Sequence, residues 1–405
     1  MTATPRPHLP YPRPRAREDL PPRALALIKS RVVPATDASQ TDPAVTDDAT
    51  QDTTPLPIET DFLLDGDQTP DSVAERLIVF VAAAGHTIDV AIYDFHARVG
   101  ATARIADALE AAAAKGVEVR VAFNVENPTR ASQPRPAACA PEDIDGLDVP
   151  SRGVHDEGAL MHHKYVVRDG EAVWTGSTNW TDDAFSREEN AILRIASPEI
   201  AAAYTANFEQ LWARGRIEPT GGEGTFAKLS RGVMAQPFFS PKGPSLAHRI
   251  AERIATARRR LRVLTPVLTS GALLGTLAEF AGRSKFDLHG AYDATQMREV
   301  EDQWRAWPPN HWKIEAWHAI RPRLSGKVST PYSPDAVHDY MHAKVVVVDD
   351  EVLTGSYNLS RGGEDNAENL VHIVSEPEAI RFAEFADRVA ERYATGAATE
   401  PSPSG

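Results

Sequence analysis

The chain has 405 residues, is 42% hydrophobic, and carries a formal charge of −14 from 43 Lys and Arg against 57 Asp and Glu. That is enough apolar material for a large core, and the acidic balance disfavours a general nucleic-acid binder while leaving room for a local basic groove. A lone cysteine, Cys139, excludes an intramolecular disulfide and a cysteine-rich metal site. The longest apolar run, residues 77–85, falls far short of the roughly 20 residues that a membrane helix needs. The N-terminal arginines are not followed by an apolar stretch, which argues against a secretory signal. The expectation is a cytoplasmic monomer without a transmembrane segment.

Residues 1–60, rich in Pro, Thr, Asp and Ala, read as a disordered tail. Residues 71–85 read as a helix, 87–95 as a buried strand, 101–115 as an alanine-rich helix ended by Gly116, and 117–124 as a strand. This β-α-β rhythm implies strands in parallel with helices on the sheet faces. Residues 127–153 read as a long loop and 198–215 as a helix. The pattern then returns: helix over 246–260, strand over 261–268, helix over 272–282, strand over 286–293, a long Trp- and Pro-rich loop over 303–335, and a closing helix over 377–396. The repeat distance is roughly 170–180 residues, too long for a solenoid unit. The expected fold is therefore α/β: two homologous halves with mixed or parallel central sheets, residues 61–225 and 226–396, followed by a disordered tail over 397–405.

The duplication is sharpest in MHHKYVVRDGEAVWTGSTNW, from Met161, and MHAKVVVVDDEVLTGSYNL, from Met341. Both hold His-x-Lys, four residues, then Asp: His162, Lys164, Asp169 and His342, Lys344, Asp349. Both continue to Gly-Ser-x-Asn, with Ser177 and Asn179 in one copy and Ser356 and Asn358 in the other. Both place a Glu-Asn pair at the same later spacing, Glu189 and Asn190, and Glu368 and Asn369. Alternate residues of a strand share a face, so each His and Lys pair makes a positive pocket suited to phosphate. Serine and asparagine add donors for phosphate oxygens. Two histidines and two lysines supply nucleophile, acid and charge without a metal or other cofactor.

These paired motifs resemble the HxKxxxxD signature of the phospholipase D superfamily, and the resemblance covers about residues 65–395. It implies two halves about a pseudo-twofold axis with one active site between them. By resemblance, His162 and His342 are the catalytic pair, with His162 the nucleophile and His342 the acid and base. Lys164, Lys344, Asn179 and Asn358 bind phosphate, and Asp169 and Asp349 brace the site. Tyrosyl-DNA phosphodiesterases lack the motif aspartate, so its presence twice points away from that branch. Cardiolipin synthases usually carry membrane helices, which disfavours them. The first expectation for substrate is a phospholipid, hydrolysed or transferred, with peripheral membrane contact. A nuclease acting on DNA or RNA is the runner-up, and a catalytically silent phosphate-binding module is the reading from another class.

Other residues have plainer readings. His163 alternates with His162 and Lys164 and so belongs to packing. A zinc site from His162, His163 and Asp156 is disfavoured because the second copy has Ala343. His155 and His338 read as rim or ordinary loop histidines, and Arg258, Arg259 and Arg260 as a solvated helix end. Asp94 and Asp293 read as structural acceptors. Trp304, Trp307, Trp312 and Trp317 serve either to cap the core or to touch a lipid or base.

Overall fold

The computed structural model describes residues 56–125 and 141–394. The tails read over 1–60 and 397–405, and part of the loop read over 127–153, fall largely outside them. In the first half β1 (Ile58–Leu63), α1 (Pro70–Ala82), β2 (Thr87–Ile92), α2 (Ala103–Ala114), β3 (Glu118–Asn124), α3 (Pro141–Asp145) and β4 (Ser151–Val154) precede the first motif. Then come β5 (Lys164–Arg168), β6 (Ala172–Gly176), α4 (Asp182–Ser186), β7 (Asn190–Ala196) and α5 (Pro198–Arg214). Two short strands, β8 (Gly222–Glu223) and β9 (Ala227–Lys228), lead to β10 (Met234–Phe239). The second half repeats the order with α6 (Leu246–Ala255), β11 (Arg260–Thr265), α7 (Gly271–Ala281) and β12 (Asp287–Asp293). It continues with α8 (Ala294–Arg305), α9 (His311–Ile320), β13 (Ser325–Lys327), β14 (Val345–Val348), β15 (Glu351–Gly355), β16 (Asn369–Val374) and α10 (Glu376–Arg392).

The first sheet runs β1-β7-β6-β5-β2-β3-β4 and the second β13-β12-β11-β14-β15-β16-β10-β8, with β9 also on β10. In each, three strands are parallel (β2, β3, β4; β11, β12, β13), and the motif strands join them antiparallel. The sheets are thus mixed, and the β-α-β rhythm accounts only for their parallel side. Both halves share one core, in which Tyr204 and Phe208 of α5 and Phe382 and Phe385 of α10 are buried with residues of both sheets. Separate clusters lie under α1 and α2 and under α6 and α7.

Residues 303–335 are not a long loop. They hold the end of α8, all of α9, two 3-10 turns and β13. Trp304 and Trp317 are buried there, and Glu301 accepts the Trp317 indole N–H at 2.8 Å. Trp307 and Trp312 remain exposed at 58% and 46%. Within 127–153, residues 141–145 and 151–154 are likewise ordered into α3 and β4.

Candidate active site

Each motif begins just before a strand and ends in its hairpin turn. Asp169 and Asp349 stand at the turns with φ of 54° and 52°, a left-handed conformation that Asp tolerates. The Asp169 carboxylate accepts the N–H groups of Gly85, His86 and Thr87 at 2.7–2.9 Å. Asp349 accepts those of Arg258, Arg259 and Arg260 at 2.8–3.0 Å. These bonds hold both carboxyls below the usual range against a partial burial cost. The aspartates therefore tie each motif strand to the start of its parallel neighbour. Upstream, Asn124 accepts the Met161 N–H at 2.8 Å and Asp293 accepts the Met341 N–H at 3.1 Å.

The two motifs meet by exchanging partners. Met161 bridges to Ala367 and Met341 to Glu189, and the His162 N–H donates to the Ala367 carbonyl at 2.9 Å. His162 Nδ1 lies 2.9 Å from Glu368 Oε2 of the other half. His342 Nδ1 lies 3.1 Å from Asn190 Oδ1 and 3.3 Å from Glu188 Oε2. Each lysine turns back to its own histidine: Lys164 Nζ donates to the His162 carbonyl at 2.8 Å, and Lys344 Nζ to that of His342 at 2.5 Å. Tyr93 walls the first motif, its ring centroid 4.7 Å from that of His162 and 4.8 Å from Lys164 Nζ.

Burial dominates the electrostatics. It draws His162 down to about 4 and Lys164 down to about 7, each opposed by the Glu368 carboxylate. His342 and Lys344 are drawn well below their ordinary values, by burial first and then by neighbouring cations of both motifs. Each histidine feels the lysine of the opposite half, so the two His-Lys pairs converge on one desolvated place. Burial also pushes the Glu188 carboxyl up to about 8. The side-chain oxygens of Asn179 and Asn358 are buried without a hydrogen-bond partner among the described residues.

Several expected roles change. Ser177 and Ser356 do not present their hydroxyls to a substrate phosphate. Both are fully buried and donate, at 2.6 and 2.7 Å, to Asn190 Oδ1 and Glu368 Oε2, the groups that hold the histidines. The glycines before them have φ of 148° and 152°, and a Cβ there would lie 2.1 Å from the Ala191 carbonyl oxygen or 2.4 Å from that of Asn369. Only glycine allows so close an approach of the strands.

The two Glu-Asn pairs do not coincide in space. Strand pairing aligns Gly176 with Ile192 but Gly355 with Leu370, so the second half is one residue shorter and Asn190 corresponds to Glu368. Glu189 instead takes the Lys327 ammonium at 2.9 Å and the Tyr393 hydroxyl at 2.5 Å, both from the other half. Asn369 accepts from Thr175 at 3.2 Å. Glu188, Lys327 and Tyr93 escaped the sequence reading. Glu188 carried a signal, since the run Glu188-Glu189-Asn190 offers two carboxylates where one was counted.

His163 is buried against Tyr165 and Phe239, consistent with packing. The His338 ring stacks on Tyr332 and on Tyr340 at interplanar angles of 27° and 26°, and the His338 backbone N–H donates to Asp183 across the halves at 2.9 Å. His155 is exposed at a bridge to Arg216. Asp293 caps α8 and accepts from Ser329 as well as Met341. Trp312 lies against Gly271, and its neighbour Lys313 donates to the Thr269 carbonyl at 3.4 Å. The N–H groups of Thr269 and Ser270 reach Leu359, next to Asn358. The exposed Trp312 is thus linked through residues 269–271 to Leu359, the chain neighbour of Asn358. Among the described residues no group of three or more His, Cys, Asp or Glu is arranged to hold a metal ion, and no helix is long and apolar enough to cross a membrane.

Comparison with known proteins gives a consistent picture. A family model described as "Cardiolipin synthase, PLD-like domain" matches residues 77–212 and 250–392, one match per half. The mitochondrial cardiolipin hydrolase of Xenopus laevis is 33% identical over 144 residues, 35% of this chain and 62% of that protein. The human protein of that name is 27% identical over 171 residues, 41% of this chain and 61% of its own length. The matches thus span a little under two thirds of these relatives. The crystal structure of phosphatidylserine synthase from Haemophilus influenzae Rd KW20 superposes with a TM-score of 0.58 at 14% identity, covering 83% of this chain and 86% of that one. At that identity the likeness speaks for the fold.

Proposed function

Because the chain belongs to the phospholipase D superfamily, its PLD-like model being matched once in each half, we propose that it is a phosphodiesterase acting through a covalent phosphohistidine without a metal. One observation carries the reading: two His-Lys pairs from opposite halves share a single desolvated place, and each imidazole is held at Nδ1 by a side chain of the other half. A phosphodiester entering there restores the charge that burial removes from Lys164 and Lys344. Its non-bridging oxygens take the lysines and the amides of Asn179 and Asn358. Nε2 of His162 attacks phosphorus, and the leaving oxygen takes a proton from His342. His342 then removes a proton from water, which releases the phosphate from His162. An alcohol in place of that water gives headgroup transfer.

We propose a phospholipid as substrate. The support is the near-complete burial of the reactive groups, the exposed Trp312 against Gly271, and the cardiolipin hydrolases among the relatives. One observation favours the nuclease reading: the column of Tyr332, His338 and Tyr340 offers flat faces for bases. Parallel assays in EDTA with cardiolipin, phosphatidylcholine, single- and double-stranded DNA and RNA decide. Cleavage of phospholipid alone is expected. Cleavage of nucleic acid alone reverses the substrate assignment, and activity abolished by EDTA and restored by a divalent cation overturns the metal-free mechanism.

A further inference from the structure

Around the histidines several positions of the halves correspond, and the residues that hold Nδ1 are exchanged. Gly176 and Gly355, Ser177 and Ser356, Met161 and Met341, and the helix-capping Ser197 and Ser375 occupy corresponding places. This register sets Asn190 against Glu368 and Glu188 against Asn366. The first half therefore reads Glu-x-Asn where the second reads Asn-x-Glu. His162 has a carboxylate at Nδ1, whereas His342 has the Asn190 amide oxygen in that place. The carboxyl serving His342 reaches in from two residues upstream: Glu188 Oε2 is 3.3 Å from Nδ1 and accepts the Asn190 amide at 3.1 Å. In the mirrored arrangement the Asn366 amide donates to Glu368 at 3.3 Å.

We propose that Glu188 is the positioning residue of His342, sharing one proton with its Nδ1 and so keeping its Nε2–H available to the leaving alcohol. This rests on the phosphodiesterase reading. The transfer balances. As the P–O bond breaks with its electron pair on oxygen, the Nε2–H bond breaks and the alcohol O–H forms. The Glu188 O–H bond breaks, and a new Nδ1–H forms on the side that faces Glu188 Oε2. Burial beside Lys164 and Lys344 would by itself leave His342 neutral and unable to act as an acid. Glu188, itself fully buried and facing Lys344, Lys327, Glu189 and Tyr340, holds its proton to about 8 and keeps it on the pair near neutrality. The exchange also separates the roles. His162 has a partner suited to a neutral nucleophile, and His342 one that returns a proton.

The test compares rapid-quench single turnovers of bis(p-nitrophenyl) phosphate, whose leaving group needs little acid, with those of phosphatidylcholine, whose leaving alcohol needs much. Cleavage of at least one ester by the wild type is the prior condition, and its failure sinks the phosphodiesterase reading itself, and this inference with it. In E188Q the alkyl ester should slow by about a hundredfold and the aryl ester by less than about tenfold, the scale of general acid catalysis. N190D placed on top of E188Q, which puts a carboxylate in the symmetric position, should restore most of the alkyl rate. Equal losses with both esters, no loss, or no restoration by N190D overturns the inference. Should E188Q fail to fold, N190D alone answers: a second carboxyl beside His342 should move the alkaline limb of alkyl ester cleavage upward, and an unmoved limb counts against the proposal.

Discussion

At the residue scale the histidines invite an asymmetric test. His342→Asn should still accumulate a phosphoenzyme from an aryl ester, while its alkyl ester turnover falls by about 10²–10⁴-fold. His162→Asn should form none with either ester. Peptide mapping under alkaline conditions reads the difference, and phosphate found on His342 in the His162→Asn protein reverses the assignment. The motif aspartates make a separate prediction about stability. Asp169→Ala removes the acceptor of three backbone N–H groups and places alanine in a left-handed conformation, a loss of about 2 kcal/mol, kept modest because Gly85 and His86 are exposed. Its folded-state carboxyl lies below the ordinary 3.8, so its ionic contribution is fully present above that value and fades as pH falls through the lower one. Urea titrations should show the gap to wild type narrowing below about pH 4 to the strain alone. A gap constant with pH refutes this account. The motif residues themselves were legible, because His-x-Lys spacing and an Asp at a turn are local statements. The destination of the Ser177 and Ser356 hydroxyls was not, since it depends on which residue of β7 or β16 lies across the sheet.

At the element scale the helices and the inner strands could be read from periodicity, whereas β1 and β10 could not. β1 carries Glu59 and Asp61 on one face, which pair with Arg194, and this dilutes its apolar alternation. β10 contains Pro237, a residue that argues against an inner strand, yet it lies between β16 and the short β8 and β9. The stretch over 303–335 misled for a related reason: Pro308, Pro309 and Pro322 fall in the 3-10 turns that flank α9, and its tryptophans divide between core and surface. That division predicts unequal effects. Trp317→Ala removes a fully buried ring and the partner of Glu301, and should cost about 3–5 kcal/mol by urea unfolding. Trp307→Ala should stay within about 0.5 kcal/mol. Similar losses at both positions contradict the packing described for α8 and α9.

At the scale of the whole molecule, the halves are joined by polar contacts as well as by a shared core. The Lys327 ammonium, from β13, is buried on Glu189 of the first half, with the Tyr393 hydroxyl completing the cluster. Lys327→Met leaves a buried carboxylate uncompensated and should destabilise by about 3–5 kcal/mol, with Glu189→Gln on the same chain recovering part of the loss. Additive losses would show that the two residues do not interact. The duplication announced this arrangement in outline, but no sequence spacing could announce Lys327, which belongs to neither motif. The one-residue difference in length that sets Asn190 against Glu368 has a wider consequence. In a homodimer of one-motif chains, twofold symmetry obliges both histidines to have the same partners, so every gain for a nucleophile is imposed equally on the acid. Joining two copies in one polypeptide lifts that obligation. Each copy is then free to drift toward a single task, and here a one-residue difference in length gives two identical imidazoles different neighbours.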